Sequence, residues 1–226
     1  MEILDFGISD YEEVLQLQKN FFENLVKDKK EGIEGSEYLL LGEHWPVITL
    51  GRRAKEENVL IPKNLLKEKE IEVFHIGRGG DVTYHCRGQL IVYPILDLSR
   101  YKLGVKDYVY LLEESIIRLI AKYKIKGERV EGATGVWIGK GTSNERKICA
   151  LGIKCSHFCS MHGIALNVNP DLSGFSMINP CGFQDKGVTS LENELNSVCP
   201  ESVLPDMKEI KKDFTEIFLS LLQNKL

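Results

Sequence analysis

Nowhere in this chain does an apolar run approach the roughly 20 residues that a bilayer-spanning helix needs. The longest, Gln89 to Leu98 (QLIVYPILDL), has the length of a strand. The first residues, MEILDFGISDYEE, lack the basic and apolar regions of a secretory leader. The expectation is a protein of the cytoplasm with no membrane partner. Basic charge is not in excess either: 29 Lys and Arg against 33 Asp and Glu leave a net charge of −4. That excludes a general attraction for nucleic acid and leaves any acidic partner to local basic patches. Internal repeats and low-complexity linkers are absent, as are the Lys-Ser/Thr of a phosphate-binding P-loop and the spacing of a dinucleotide fingerprint. The natural reading is one domain over 1–226, with a final helix at about 205–226 as a possible small appendage.

Cysteine, in contrast, is plentiful, with six at 86, 149, 155, 159, 181 and 199. The chain is not short and is not visibly secreted, so these read as reduced thiols rather than a disulfide frame. Cys149, Cys155, His157, Cys159 and His162 lie close in sequence, but C-x5-C and C-x3-C are not the paired spacing of a zinc site, and no metal or cofactor is expected.

Apolar periodicity supplies the elements. Ser9-Asp10-Tyr11-Glu12 has a capping pattern, and Val14, Leu17, Phe21 and Leu25 follow at helical spacing. Tyr38 to Leu41, Val47 to Leu50, Ile71 to Ile76 and Gln89 to Leu98 read as strands. Pro94 marks a bend, a bulge or an edge in the last of these. A second amphipathic helix is expected over Asp107 to Lys124, and Glu128 to Gly135 reads as a connection. Val136 to Gly139 and Ile148 to Ile153 read as a hairpin. A strand from Ile164 to Asn169 is expected to have one apolar face. Thr189 to Glu192 resembles a helix start, and Met207, Ile210, Phe214, Ile217 and Leu221 trace the last helix. Together these give an α/β (α+β) fold: a mixed, mostly antiparallel sheet flanked by helices.

The chemistry concentrates between Arg146 and Gly182. Lys147 precedes a run of small and apolar residues, and Cys181 stands between Pro180 and Gly182. Proline and glycine suit a tight turn that presents a side chain. A thiol of pKa near 8.5 is only a few per cent ionised at neutral pH, and a neighbouring ammonium lowers that pKa to roughly 3.5–7.5. Cys181 and Lys147 are therefore candidates for an activated thiol. The competing reading is that Cys181 is an ordinary buried cysteine. Gly77 to His85 (GRGGDVTYH) is a glycine-rich turn that lets backbone approach a ligand, with Arg78 and His85 supplying polar groups. His85 and His162 could equally be structural histidines beside a turn.

Several segments, taken together, resemble the lipoyl(octanoyl) transferases of the biotin/lipoate protein ligase fold family. They are EHWPVITLGRRA (43–54), GRGGDVTYH with GQLIVYPILDL (77–85 and 88–98), KICALGIK (147–154), HGIALNVN (162–169) and INPCG (178–182). The resemblance implies octanoyl transfer from an octanoyl-acyl carrier protein to a lysine of a lipoyl domain, as in 2-oxoacid dehydrogenases or the glycine-cleavage H protein, with a thioester on the enzyme. It matches Cys181 to the acyl-carrying nucleophile and Lys147 to the lysine that lowers its pKa. It matches the acyl-binding segments to Arg78, Gly79, Gly80, Asp81, Val82, Thr83, Tyr84 and His85, then to Ala150, Leu151 and Gly152, then to Gly163, Ile164 and Ala165. One departure is Cys86-Arg87, where the family has Gly-Pro. Thioester exchange is close to isoenergetic, so no ATP is required, and Lys147 or His85 is the candidate acceptor of the amine proton. A basic rim of Arg52, Arg53, Arg78, Arg87, Lys140 and Arg146 is expected to meet acidic partners, and a monomer is expected. The alternatives are an ATP-dependent lipoate or biotin ligase and a non-catalytic acyl- or carrier-binding module.

Overall fold

Two faces of one large sheet divide the apolar residues between them. The computed structural model describes residues 1–179 and 187–225. Strands β1 (Glu2–Ser9), β2 (Tyr38–His44), β6 (Gln89–Ile95), β10 (Cys159–Asn167), β9 (Arg146–Ser156), β8 (Ala133–Ile138) and β7 (Glu128–Val130) lie side by side in that order, and β11 (Gly187–Val188) joins β9. The β1–β2 and β11–β9 pairs are parallel and the others antiparallel, so the sheet is mixed and mostly antiparallel. A second sheet holds β3 (Val47–Leu50) between β4 (Glu72–His75) and β5 (Val82–His85).

Alternation explains why the central strands look uniformly apolar. Along β2 and β6, Leu39, Leu41, Leu90 and Val92 join one core, while Leu40, Ile91 and Tyr93 join the other. The first core lies under α3 (Val105–Ala121), α4 (Leu191–Val198) and α5 (Met207–Gln223); the second lies under α1 (Tyr11–Lys30). Both faces of these strands are therefore dry, and period-2 polarity disappears. Strand β10 follows the same logic and corrects the one-faced expectation. Ile164 and Leu166 enter the first core, Met161 and Ala165 enter the second, and all nine of its residues are buried. Helix α5 contributes Ile210, Phe214, Phe218 and Leu222 to the first core. Among the described residues no helix is long and apolar enough to cross a membrane.

Two elements differ from the sequence reading. Residues 2–9 form β1, which pairs parallel to β2 as an edge strand; half its side chains face water, which hides the pattern. The expected connection over 128–135 contains β7 and the start of β8, a ladder whose register shifts between Glu128 and Val130. Between β3 and β4 lies a short α-helix, α2 (Lys63–Glu68), anchored by Leu66.

The β9–β10 hairpin closes through two residues, His157 and Phe158, at φ +52° and +61°, between the paired Ser156 and Cys159. Left-handed backbone at both positions is the turn for which Asn-Gly is the usual solution. Replacing His157-Phe158 by Asn-Gly is expected to stabilise the fold by about 1–2 kcal/mol, since each non-glycine residue there carries roughly 1 kcal/mol or more of strain. An unchanged or lower urea midpoint would show that Phe158, over which the Lys29 ammonium sits at 5.5 Å, contributes more than the turn costs.

Candidate active site

A cavity of about 480 Å³ opens between the two sheets, within the roughly 300–1,000 Å³ of small-ligand sites. Its walls come from segments far apart in sequence: the loop 78–81 with the start of β5, the middle of β9, the middle of β10, and Lys147. Of the residues matched by resemblance, Arg78 to Thr83, His85, Lys147, Ala150 to Gly152 and Gly163 to Ala165 all line it. Tyr84 does not. Strand alternation turns its ring into a separate apolar cluster with Ile48 and Leu50 of β3 and Leu66 of α2, edge-on to Phe175 with centroids 5.7 Å apart and against Gly174. Cys181 lies outside the described residues. The described chain stops at Asn179, whose N–H donates to the Asn58 carbonyl at 2.8 Å, and resumes at β11, where Gly187 and Val188 pair with Arg146 and Lys147.

Close backbone approach shapes the cavity. The Gly79 N–H donates to the Ile153 carbonyl at 2.8 Å, laying the glycine-rich loop across β9. A Cβ on Gly152 would sit 2.6 Å from the Gly79 carbonyl oxygen, so glycine is required at that crossing. Gly163 is as restricted, since a Cβ there would come within 2.1 Å of the Val92 carbonyl oxygen. His162 beside it has φ +60°, and its N–H donates to Gln18 Oε1 at 3.1 Å instead of to the facing strand. The cause is opposite it. Pro94 offers no N–H to the ladder, and its carbonyl takes the Ser160 hydroxyl at 2.9 Å. The register of β6 on β10 is unchanged across this proline, with Ile164 opposite Val92 and Cys159 opposite Asp97, so the ladder is interrupted there without an inserted residue.

Arg78 is buried and corrects the rim expectation. Its guanidinium donates to the Thr49 carbonyl at 2.8 Å, to Thr49 Oγ1 at 2.9 Å and to the Gly79 carbonyl at 3.0 Å. It fastens the loop to β3 rather than facing a partner. Arg146 is engaged with Glu194 at 2.5 Å, and Arg87 lies over the Trp45 ring at 5.5 Å. Lys140 is exposed and does not line the cavity; Arg52 and Arg53 are exposed and do. The turn that carries these two arginines is held by N–H groups of residues 51–53 bonding to the carbonyls of Asp81, Arg78 and Gly80. Replacing both by alanine is expected to slow reaction with an acidic carrier-bound donor by about threefold to tenfold at low ionic strength and to flatten its salt dependence. Equal salt slopes for the two proteins would remove them from steering.

Lys147 reaches the cavity from β9 with its ammonium 4.6 Å from the centre of the Trp137 ring. Trp137 is itself fixed by an N–H to the Ala133 carbonyl at 2.7 Å. At the other end, Tyr11, His85, Tyr93 and His162 line the wall, with His44 behind them. Burial, with nearby positive charge at His85 and His162, holds all three imidazoles neutral: the pKa of His44 falls to about 4 and those of His85 and His162 to about 3. Burial acts in the opposite sense on thiols, pushing Cys86 and Cys159 up to about 11 and raising Cys149 and Cys155. Among the described residues no three His, Cys, Asp or Glu side chains gather as a metal site. At the Cys86-Arg87 departure, Gly88 takes φ +83° and donates its N–H to Glu43 Oε2 at 2.7 Å.

Tyr11, Gln89, Tyr93, Trp137 and Asn167 line the cavity without having been singled out from sequence. Gln89 and Asn167 carry the most legible signal, as amides bordering apolar strand segments inside the GQLIVYPILDL and HGIALNVN motifs.

The family model described as the lipoyl protein ligase A/B catalytic domain matches residues 10–218. The chain is 47% identical over 215 residues to an octanoyltransferase of Parabacteroides distasonis, covering 95% of this chain and 96% of that one. It is 48% identical over 210 residues to an octanoyltransferase of Bacteroides thetaiotaomicron, covering 93% and 90%. Among solved structures it resembles the bipartite lipoate protein ligase of Thermoplasma acidophilum, with a TM-score of 0.66, 14% identity and coverage of 98% and 84%. It also resembles a lipoate-protein ligase A bound with ATP, with a TM-score of 0.70, 14% identity and coverage of 99% and 86%. At such identities these two speak for the fold alone.

Proposed function

Since the chain belongs to the lipoyl protein ligase A/B catalytic family and transfers octanoyl groups in protein lipoylation, we propose that the acyl group moves from an acyl carrier protein to Cys181 as a thioester and then to a lysine of a lipoyl domain. The reading takes residues 1–226 as one catalytic domain, acting in the cytoplasm as a monomer. The observation that carries it is the joint lining of one cavity by Lys147, the 78–81 loop, Ala150 to Gly152 and Gly163 to Ala165. Two further facts support it. The strand that follows the INPCG segment pairs directly with Lys147. The four cysteines whose ionisation is shifted among the described residues are all pushed away from the thiolate, which leaves them unsuited to the nucleophile's task.

In the first step the Cys181 sulfur attacks the donor thioester carbon, a new C–S bond forms, and the carrier's sulfur leaves with the electron pair. Lys147 stabilises the attacking thiolate. In the second step the lysine amine forms a C–N bond and the C–S bond to Cys181 breaks. The octanoyl chain brings roughly 5 kcal/mol of apolar burial, at about 0.8 kcal/mol per methylene, against Leu151, Ile164 and Ala165. Intact-protein mass measured after mixing with octanoyl-carrier protein tests this: an octanoyl adduct released by hydroxylamine is expected. Pyrophosphate release during turnover with ATP and free acid would instead mark a ligase, and carrier binding without an adduct would mark a silent module.

A further inference from the structure

A chain of buried amides dictates which nitrogen of His85 carries its proton. Asn167 Nδ2 donates to the Thr189 carbonyl at 2.9 Å, which turns Asn167 Oδ1 toward Gln89. Gln89 Nε2 then donates to Asn167 Oδ1 at 2.9 Å and to the Tyr84 carbonyl at 3.1 Å. Both partners are acceptors, so the amide orientation is fixed twice over. The remaining Gln89 oxygen stands 3.2 Å from His85 Nδ1 and can only accept, so that nitrogen carries the hydrogen. Gln89 and Asn167 are 1% and 4% exposed, and both line the cavity beside His85.

Resting on the transfer reading above, we propose that Gln89 and Asn167 are positioning residues that hold His85 in its Nδ1–H form, so that Nε2 is an open acceptor for an N–H of the attacking lysine amine. An imidazole of the other tautomer would present a donor to that amine and hold its lone pair away from the thioester carbon. With Nε2 as acceptor, the amine's lone pair is left for the carbon. As C–N forms and C–S breaks, sulfur keeps the electron pair and the proton shed by nitrogen neutralises it. The surroundings keep the imidazole uncharged. Tyr11 of α1 stacks on it at 6.2 Å, His44 of β2 meets it edge-on at 6.2 Å, and Arg78 and His162 of β10 both disfavour a proton there.

The tautomer is read directly by two-bond ¹H–¹⁵N correlation on the full-length unreacted protein with labelled histidine, the His85 signals being identified by their loss in His85→Gln. A protonated Nδ1 and an unprotonated Nε2 are expected; the reverse overturns the inference. Gln89→Leu should populate the other tautomer and slow transfer from the acyl-enzyme to a lipoyl-domain lysine by roughly tenfold to a hundredfold, with acylation by the donor within about twofold of wild type. Equal slowing of both half-reactions would mark a merely structural amide and overturn it. Gln89→Glu, which keeps the acceptor toward Nδ1 and raises the basicity of the imidazole, should move the acid limb of the transfer step to higher pH and leave that of acylation in place. An unmoved limb counts against the inference. Failure of the wild type to form any acyl-enzyme would reject the transferase reading itself, while the NMR result still decides the tautomer.

Discussion

Lys147→Ala is expected to slow formation of the octanoyl thioester by about a hundredfold at pH 7. Two contributions add. Without a cation beside it a thiol returns toward pKa 8.5 and is only a few per cent ionised, a loss of roughly tenfold in thiolate partly offset by the greater nucleophilicity of a more basic sulfur. A further tenfold or more follows if the amine of Lys147 also exchanges the proton. The sign with pH is fixed: removing the cation raises the thiol pKa, so the rising limb of the acylation rate moves up and much of the loss is recovered near pH 9. Lys147→Arg separates the contributions, because guanidinium keeps the charge but does not release a proton. It should ionise the thiol and still turn over slowly. Cys181→Ser should yield no hydroxylamine-labile adduct at all. Wild-type acylation by either Lys147→Ala or Cys181→Ser, followed by intact mass against time, would dismiss the pair from the reaction.

Most of the architecture was legible because its elements bury one face or end on a recognisable signal. Helix α1 announces itself through Val14, Leu17, Phe21 and Leu25, and α5 through Met207, Ile210, Phe214, Ile217 and Leu221, although Phe218 and Leu222 are buried more deeply than Ile217 and Leu221. The failures have a common physical origin in context. β1 is an edge strand with no fully buried residue, and β10 alternates in sequence yet is buried on both sides, so its apparently polar face is dry as well. Of the candidate site, the resemblance pointed to Gly79, Gly152, Gly163 and Lys147, and all four line the cavity. What could not be read was direction. Arg78 looks the same in sequence whether it faces a partner or turns inward to Thr49. Tyr84 and His85 are neighbours on one strand, and only the registration of β5 on β3 sends one ring to a core and the other to the cavity. Gln89 and Asn167 sit 78 residues apart, and their pairing exists only through the β6–β10 register.

The same buried imidazoles make the fold acid-sensitive in a window that carboxylates do not reach. His44, His85 and His162 each have a pKa far below 6.5 in the folded chain, at about 4, 3 and 3. The unfolded chain therefore binds protons that the folded one refuses, and stability falls as pH drops below about 6.5. At pH 5 each histidine costs about 2 kcal/mol, or roughly 6 kcal/mol for the three, a loss comparable with the whole stability of many domains. The Asp97 carboxyl, held below its ordinary range by Lys29 and Ser99 against the opposing effect of burial, adds its loss only in more acid solution. Urea midpoints measured from pH 7.5 to 5 are thus expected to fall with a slope approaching three protons per molecule. His162→Asn is the sharpest check, because asparagine tolerates the φ of +60° and preserves the backbone N–H to Gln18. That variant should lose stability less steeply, by one proton, and an unchanged slope would mean that His162 is protonated in the folded chain as readily as in the unfolded one.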